Sequence, residues 1–187
     1  RSSGSAAMVI GNTEMAKRFN TQPAFITGVA SKTDTYWIGD RMTPTADFDF
    51  FDFEMAAAVA RECYRRANIT DPIKQIQVTE LYDPYTIMTP TQLEQLGFCA
   101  PGEALKLERD GYWDSESGAV AVNPSGGTLC TNPIAVAGLV RAIDAADQVM
   151  GKAGAMQIPR VKVALSTAVG GILQFFNCTV FSAEPVQ

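Results

Sequence analysis

The sequence contains no histidine, which removes the side chain that most often exchanges protons near neutral pH. Its four cysteines, at positions 63, 99, 130 and 178, include no Cys-x-x-Cys pair. Both absences argue against a zinc site within this chain. Widely spaced cysteines without a secretion signal predict reduced thiols and a cytoplasmic protein.

Long apolar runs and an excess of basic residues are also missing. The longest apolar stretch, 134–140, is far too short to span a bilayer, so no membrane association is expected. A net charge of −5 gives no basic surface for nucleic acid. The chain opens Arg1-Ser2-Ser3, without an initiator methionine or signal peptide. We therefore expect it to be part of a longer protein.

The residues that are present predict a globular α/β domain. Hydrophobic residues make up 47% of the chain and charged residues 19%, which are ordinary values. Strand and helix patterns alternate, which predicts a mixed sheet covered by helices. A run of alternating aspartate and phenylalanine at 46–53 allows two interpretations, packing at a helix entry or a binding role. The predicted strands are 6–10, 24–30, 76–81, 119–122, 161–166 and 175–182, and the predicted helices are 13–19, 54–68, 91–96 and 133–151, with 101–117 as a polar loop.

The segment from Asn123 to Pro133 is the strongest candidate for chemistry. Gly126 and Gly127 would let the backbone approach another group closely. Asn132 and Pro133 suit the N-cap and first position of a helix whose first two turns are apolar all round, which predicts that those turns are buried. Unpaired N–H groups at such a helix start suit a developing oxyanion. The alternative is that the segment is only a turn and a cap.

Two further segments end predicted strands. Tyr82, Asp83 and Tyr85 follow the strand at 76–81 and are candidate acids, bases or hydrogen-bond donors. Packing of the two tyrosines is the alternative interpretation. Gly170 and Gly171 follow the strand at 161–166, where two glycines form either a bend or a binding loop.

In their order and spacing, these segments resemble the C-terminal half of thiolases over nearly the whole chain. The segment 80–86 is similar to the thiolase Asn-Glu-Ala-Phe segment, or to His-Asp-Cys-Phe of the sterol-carrier type. Residues 96–104 and 122–127 resemble the sterol-carrier type. Residues 130–138 stand where thiolases carry Gly-His-Pro-x-Gly-x-x-Gly, and 163–171 stand where they carry the last glycine loop, which contains a cysteine or histidine. The resemblance implies half of a layered αβαβα sandwich with a mixed five-stranded sheet. Residues 1–20 would end the N-terminal domain, and 21–187 would form the C-terminal domain.

This chain departs from the thiolase pattern at its catalytic positions. Asn132 stands where the family has the histidine of Gly-His-Pro, and Tyr82 replaces the asparagine or histidine that holds a water. An asparagine amide donates a hydrogen bond but cannot accept a proton. Thr167 and Ala168 lie near the family's second catalytic cysteine or histidine, and neither is an adequate base. The resemblance places the nucleophilic cysteine in the N-terminal half.

The resemblance implies a thiolase-type acyltransferase of lipid metabolism that forms or cleaves a carbon–carbon bond beside the thioester of a bulky acyl-CoA. Alternatives are a retro-aldolase acting on a β-hydroxyacyl-CoA and a non-catalytic subunit that binds acyl-CoA or lipid. CoA would be a substrate or product, with no cofactor bound in this chain. Implied partners are the N-terminal half, a second copy in a homodimer, and a small OB-fold/zinc-ribbon subunit. The candidate catalytic residues are Asn132, Tyr82, Tyr85 and Asp83, and the candidate substrate-binding residues are Gly126, Gly127, Cys130, Gly170 and Gly171.

These residues are distant in sequence, yet the family fold implies that they meet. We expect Tyr82, Asn132 and the loop at Gly170 and Gly171 to converge on one pocket.

Overall fold

A computed structural model describes residues 2–16, 18–19, 22–37, 39–42, 54–171 and 173–186. The aspartate–phenylalanine run at 46–53 lies outside these ranges, so both interpretations of it stay open. Within the described ranges, no helix has the length and apolar character needed to cross a membrane.

A five-stranded mixed sheet organises the chain, which confirms the predicted fold class. The strand order is β1-β5-β4-β2-β3, with β2 parallel to β3 and β4, and β5 antiparallel to β1 and β4. The carboxyl ends of β1, β2, β3 and β4 therefore lie at the same edge. The strands are β1 (Phe25–Thr33), β2 (Val78–Glu80), β3 (Ala121–Val122), β4 (Val163–Gly170) and β5 (Phe175–Ser182).

Helices cover both faces of this sheet. On one face α3 packs against β1 and β5, and on the other α8 packs against β2 and β4. Successive strand residues point to opposite faces. Leu165 accordingly joins the core beneath α3, whereas Ala164 joins the core beneath α8. The helices are α1 (Thr13–Ala16), α2 (Gly39–Met42), α3 (Glu54–Ala67), α4 (Pro72–Gln75), α5 (Met88–Gln95), α6 (Ala104–Arg109), α7 (Gly127–Cys130) and α8 (Ala137–Met150), with a 3-10 turn at Gly154–Met156.

The predicted buried strand at 6–10 is wrong. These residues form no strand, and Val9 and Ile10 are 93% and 70% exposed. Near the start of the chain, Ser2 forms an isolated parallel bridge to Pro133 instead. A short apolar run predicted the strand, but such a run forms one only where a neighbouring strand accepts its backbone hydrogen bonds.

The predicted helix at 133–151 starts later than expected, and its first turns are not buried. Helix α8 begins at Ala137, after a turn in which Val136 donates to the Pro133 carbonyl at 3.1 Å. Ile134 is 53% exposed and Leu139 is 38% exposed. The left-handed backbone at Ala135, with φ 76°, is incompatible with a continuous helix from Pro133. The apolar composition alone could not reveal that break.

The stretch predicted as a polar loop, 101–117, contains helix α6. Its conformation depends on Trp113, which is 4% exposed and donates from Nε1 to the Ala104 carbonyl at 3.2 Å. One buried aromatic residue thus folds a polar segment back onto the core.

Gly28 marks the closest approach between α3 and β1. A Cβ added there would lie 2.4 Å from the Cys63 carbonyl oxygen and 3.0 Å from the Ala67 Cβ. Gly28→Ala should therefore lower the free energy of unfolding by about 1–3 kcal/mol through overpacking. Urea denaturation measures the change. Ser31→Ala, at an exposed site on the same strand, is the control and should shift it by about 0.5 kcal/mol or less. Equal values for both variants would contradict this packing.

Candidate functional site

The polar segments that the sequence singles out follow the carboxyl ends of parallel strands. Tyr82 and Asp83 follow β2, Asn123 follows β3, and Gly170 ends β4. Ligands of α/β sheets collect at this edge. The sheet topology therefore brings together segments that are far apart in sequence.

The Asn123 side chain joins the first two of these segments. Its Oδ1 accepts from the Leu81 N–H at 2.6 Å, and its Nδ2 donates to Asp83 Oδ2 at 2.8 Å. Its backbone lies in the left-handed region, with φ 48°, which asparagine tolerates better than most residues. Asn123 therefore holds the loop after β3 against the segment after β2.

Asp83 uses both carboxylate oxygens within this network. Oδ1 accepts from the Thr128 N–H at 2.6 Å and from the Thr128 hydroxyl at 2.8 Å, while Oδ2 accepts from Asn123 and from Thr89. The side chain is buried. These contacts give Asp83 a positioning function, and its predicted catalytic role stays a prediction. A cavity of about 230 Å³ lies beside it, lined in part by Thr89, Asn123 and Gly126.

Gly126 and Gly127 serve this network through their lack of a side chain. Both have left-handed backbones, with φ 92° and 62°. A Cβ on Gly127 would lie 2.5 Å from Asp83 Oδ1, and one on Gly126 would lie 2.7 Å from Cys130 Sγ. The close approach that the glycines permit is therefore to the protein's own groups. Cys130 is exposed, and its thiol is unpaired.

Tyr82 is held by its backbone. Its N–H donates to the Thr167 hydroxyl at 3.0 Å, and its carbonyl accepts from Gln92 Nε2 at 2.9 Å. The Thr167 hydroxyl in turn donates to Gln92 Oε1 at 2.7 Å. Thr167 therefore joins β4 to the Tyr82 segment. The Tyr82 side chain is half-buried, whereas Tyr85 is 70% exposed.

Asn132 lies in the turn before α8 and does not cap that helix. The residue at the cap position is Val136, so the interpretation of Asn132 as its N-cap is wrong. Its Oδ1 is buried and has no hydrogen-bond partner among the described residues. A buried acceptor without a donor is unusual in folded proteins and is a reason to suspect a function.

The third segment adjoins the start of α8. A Cβ on Gly138, in the first turn of α8, would lie 2.6 Å from the Ala168 Cβ on β4. Gly171 has φ 64°, which fits a bend between β4 and β5. The contact of Gly138 with Ala168 brings α8 to the carboxyl-terminal half of β4. The hydrogen bond from the Tyr82 N–H to Thr167 brings the Tyr82 segment to the same half. Convergence of Tyr82, Asn132 and this glycine loop on one pocket stays a prediction, as do the binding roles of Gly126, Gly127, Cys130, Gly170 and Gly171.

A buried ionic network beneath the site was not predicted. Arg141 Nη1 donates to Glu80 Oε2 at 2.8 Å and to Ser125 Oγ at 2.6 Å. Burial raises the pKa of Glu80 to about 7, opposed by the Arg141 charge and the Ser125 hydrogen bonds. The available signal was weak: Glu80 ends a short buried strand, and Arg141 follows the apolar run 134–140 in the sequence.

The backbone at Ala135 offers a direct test of the turn before α8. Relief of its left-handed strain should make Ala135→Gly more stable by about 0.5–1 kcal/mol. In the regular part of α8, Ala142→Gly should instead cost about 1 kcal/mol. Thermal unfolding of both variants measures whether each substitution stabilises or destabilises the protein. A destabilised Ala135→Gly variant would argue against the left-handed turn.

Glu80 should make stability depend on pH. Because its folded pKa of about 7 lies above its ordinary value of 4.5, the folded state binds more protons between these values. The free energy of unfolding should therefore fall as pH rises from about 4.5 to 7, and Glu80→Gln should flatten that part of the profile. Asp144 and Asp147, whose pKa values burial also raises, contribute the same sign and remain in the variant.

Glu62→Gln is the matched control for this measurement. Hydrogen bonds from Arg65 and Arg66 lower the Glu62 pKa to about 2, so its contribution is lost only as pH falls below about 4.5. An unchanged slope between pH 4.5 and 7 in Glu80→Gln would show that Glu80 is already ionised there.

Comparisons with known proteins agree with the fold class. The chain is 26% identical over 171 residues to an acetyl-CoA acetyltransferase of Methanothermobacter thermautotrophicus, covering 91% of this chain and 42% of that protein. It is 27% identical to sterol carrier protein 2 of Bos taurus, covering 90% of this chain and 30% of that protein. Identity is also 27% to the benzoylsuccinyl-CoA thiolase subunit BbsB of Thauera aromatica, with coverage of 90% and 42%.

A solved structure described as an Ltp2-ChsH2(DUF35) aldolase superposes with a TM-score of 0.77 and 28% identity, covering 94% of this chain and 43% of that chain. The chain thus spans less than half the length of each of these relatives. The family model described as "Thiolase C-terminal domain-like" matches residues 40–183. The chain belongs to the thiolase C-terminal domain-like family.

Proposed function

We propose that the protein containing this chain forms or cleaves the carbon–carbon bond beside the thioester of a bulky acyl-CoA, as a thiolase-type acyltransferase. The names of the acetyl-CoA acetyltransferase and of the benzoylsuccinyl-CoA thiolase subunit support this reaction class. The second name, together with sterol carrier protein 2, supports a bulky acyl group. CoA would enter or leave as a reactant.

The observation that carries the proposal is the family match over residues 40–183, within which Asn132 stands where the resemblance puts the thiolase histidine. Asn132 lies just before the turn that leads into α8, outside the helix, and its buried Oδ1 lacks a partner among the described residues. A structural cap would have used that oxygen on a backbone N–H. The amide offers one acceptor oxygen and two N–H donors. We assign the Nδ2 group to the thioester oxygen, where negative charge builds up in the transition state.

Tyr82 would supply a second polar contact beside the reacting carbons. The Tyr82 backbone is held by hydrogen bonds to Thr167 and Gln92. These bonds fix the position of its Cα and therefore the point from which its side chain extends. Thr167 donates its own hydroxyl proton to Gln92 and is therefore engaged in positioning. The chain itself contains no histidine, so in the acyltransferase an imidazole base would have to come from elsewhere in the protein.

A second candidate is retro-aldol cleavage of a β-hydroxyacyl-CoA. In that reaction the bond between Cα and Cβ breaks, the β-hydroxyl loses its proton and becomes a carbonyl, and Cα keeps the electron pair as an enolate that is then protonated. The unpartnered Asn132 Oδ1 favours this candidate, because a β-hydroxyl would donate to it. The 28% identity to a structure described as an aldolase favours it as well. Tyr82 or Tyr85 would act as acid or base.

We further propose that the protein works in a multi-subunit assembly. BbsB is named as a subunit, and the similar aldolase structure contains a DUF35 component. A small OB-fold/zinc-ribbon partner and a homodimer of the thiolase-like subunit are the forms of assembly that we propose. The candidate partner subunit should therefore be present when activity is measured.

The requirement for free CoA distinguishes the candidates. Thiolysis of a β-ketoacyl-CoA consumes one CoA and yields two thioesters, whereas retro-aldol cleavage yields one thioester and one aldehyde or ketone without CoA. We would assay the intact protein, with its partner, on matched β-keto and β-hydroxy acyl-CoAs. Cleavage of the ketone only with CoA supports the acyltransferase, and CoA-independent cleavage of the alcohol supports the aldolase. Binding of both without turnover would leave the non-catalytic subunit as the explanation.

Substitution of Asn132 tests the proposed oxyanion contact. Asn132→Ala should lower turnover by about 10²–10³-fold, the usual effect of removing one such donor. Substrate binding should change little, because the contact strengthens only as charge develops. Asn132→Asp should be at least as damaging, since it places negative charge where negative charge must build up. Asn132→His restores the thiolase pattern and is the variant in which ordinary acetyl transfer should be sought.

Asn12→Ala is the control, since that asparagine is exposed and only caps the short helix α1. Its turnover should equal that of the unmodified protein. Steady-state kinetics should be paired with a thermal melt of each variant. Full turnover per folded molecule in Asn132→Ala would remove Asn132 from the mechanism and leave Tyr82 or Tyr85 as the candidate.

A further inference from the structure

Arg141 is the most deeply buried cation described in the chain, at 2% exposure. It lies on α8, on the face that packs against the sheet, among residues that include Ala145 and Val149. Removing a guanidinium from water is costly unless its N–H groups find acceptors. An apolar residue of similar volume would fill the space at lower cost, which suggests that the charge has a use beyond packing.

The acceptors of Arg141 come from different parts of the candidate site. Nη1 donates to Glu80 and Ser125, and Nη2 donates to Asp144 Oδ2 at 2.7 Å. Glu80 is the last residue of β2, two positions before Tyr82. Ser125 lies in the loop after β3, and Asp144 lies on α8 itself. One planar group thus connects three elements.

Glu80 and Ser125 also bind each other. Glu80 Oε1 accepts from the Ser125 N–H at 3.2 Å, and Oε2 accepts from the Ser125 hydroxyl at 2.5 Å. On its other side the same loop is held by Asn123, which contacts Leu81 and Asp83. The loop is therefore fixed at two points, and Arg141 connects one of them to the helix that follows Asn132.

We propose that Arg141 is a positioning residue for the candidate site, and that it sets the loop 123–127 and the segment 81–83 relative to the start of α8. It acts through Glu80 and Ser125 and does not touch substrate. This proposal rests on the proposed function, because its effect on turnover needs a reaction to measure. The effect of Arg141 on the order of the loop 123–127 can be measured without a reaction.

The two terminal nitrogens of the guanidinium match the arrangement of acceptors, whereas the buried Nε has no partner among the described residues. Lysine carries the same charge but concentrates it on one ammonium, which cannot reach the acceptors in the geometry of a fork. Arginine and lysine at position 141 would both balance the negative charge of Glu80 and Asp144. The adjoining cavity is lined by one further acidic and one basic side chain, Asp147 and Lys152. Arg141→Lys therefore separates geometry from charge.

The test uses the intact protein and three changes. In Arg141→Lys, kcat should fall by up to about 10²-fold, the effect of a small misplacement of catalytic groups, with KM little changed. The double variant Glu80→Gln with Arg141→Met removes both charges. Its melting temperature should lie above that of Glu80→Gln or Arg141→Met alone, because neither member of the most deeply buried pair is left as an unpaired charge and Asp144, the remaining partner, is 24% exposed at its side chain. Its kcat should stay low. Arg66→Lys, an exposed arginine paired with Glu62 on α3, should change neither quantity.

Hydrogen exchange provides the readout that does not depend on activity. In Arg141→Lys the Ser125 amide should exchange faster, while amides in the middle of α3 should keep their rates. If the unmodified protein turns over no acyl-CoA, the proposed function fails, and the Ser125 exchange rate alone decides the positioning role. An unchanged Ser125 rate, a double variant with full kcat, or an Arg141→Lys variant altered mainly in KM would each overturn the proposal.

Discussion

The hydrogen bonds of the Asn123 side chain are the constraint on which the candidate site depends. They join the loop after β3 to the segment after β2, so that Asp83 meets Thr128 and Tyr82 meets Thr167. The backbone of this loop can approach Asp83 so closely because Gly127 has no side chain, and a Cβ there would clash with the Asp83 carboxylate. The Asn123 hydrogen bonds act together with the Glu80–Ser125 contacts, which hold the same loop at a second point.

Most polar groups at this edge satisfy one another. Asp83 and Thr167 are engaged with neighbouring residues, whereas Asn132 has a buried oxygen that is not. Such internal pairing creates a rigid frame, and a buried acceptor without a donor is a reason to suspect a function. Thr79 Oγ1 and Arg141 Nε are buried without a partner as well, so the ligand role that we propose for Asn132 depends on its position before α8 and not on the missing hydrogen bond alone.

Sequence patterns predicted the sheet and its main helices because those elements follow local rules. Alternating apolar residues indicated β1 and β5, and the amphipathic pattern of α3 is unambiguous. The apolar composition of 134–140 was misleading, because the backbone at Ala135 breaks the helix and leaves Ile134 exposed. Backbone conformation at a single alanine is not visible in a hydrophobic pattern.

The motifs also identified the edge at which Tyr82, Asp83 and Asn123 lie, but not the network beneath it. The Glu80–Ser125–Arg141 contacts join positions up to 61 residues apart, and no local periodicity records a pairing of that kind. Contacts of high sequence separation depend on strand order, which sequence patterns leave open. For the same reason, the hydrogen bonds by which Asp83 holds Thr128 could not be predicted from the sequence.

The central claim is that Asn132, Tyr82 and the Gly170–Gly171 loop form one acyl-CoA site. A crystal structure of the intact protein with a non-reactive acyl-CoA analogue, in which an ether replaces the scissile bond, tests it most directly. The account predicts the thioester oxygen within hydrogen-bonding distance of the Asn132 amide, with Tyr82 and the glycine loop beside the same acyl chain. A thioester bound elsewhere, with the Asn132 amide roughly 10 Å or more away on the scale of pocket dimensions, would contradict it.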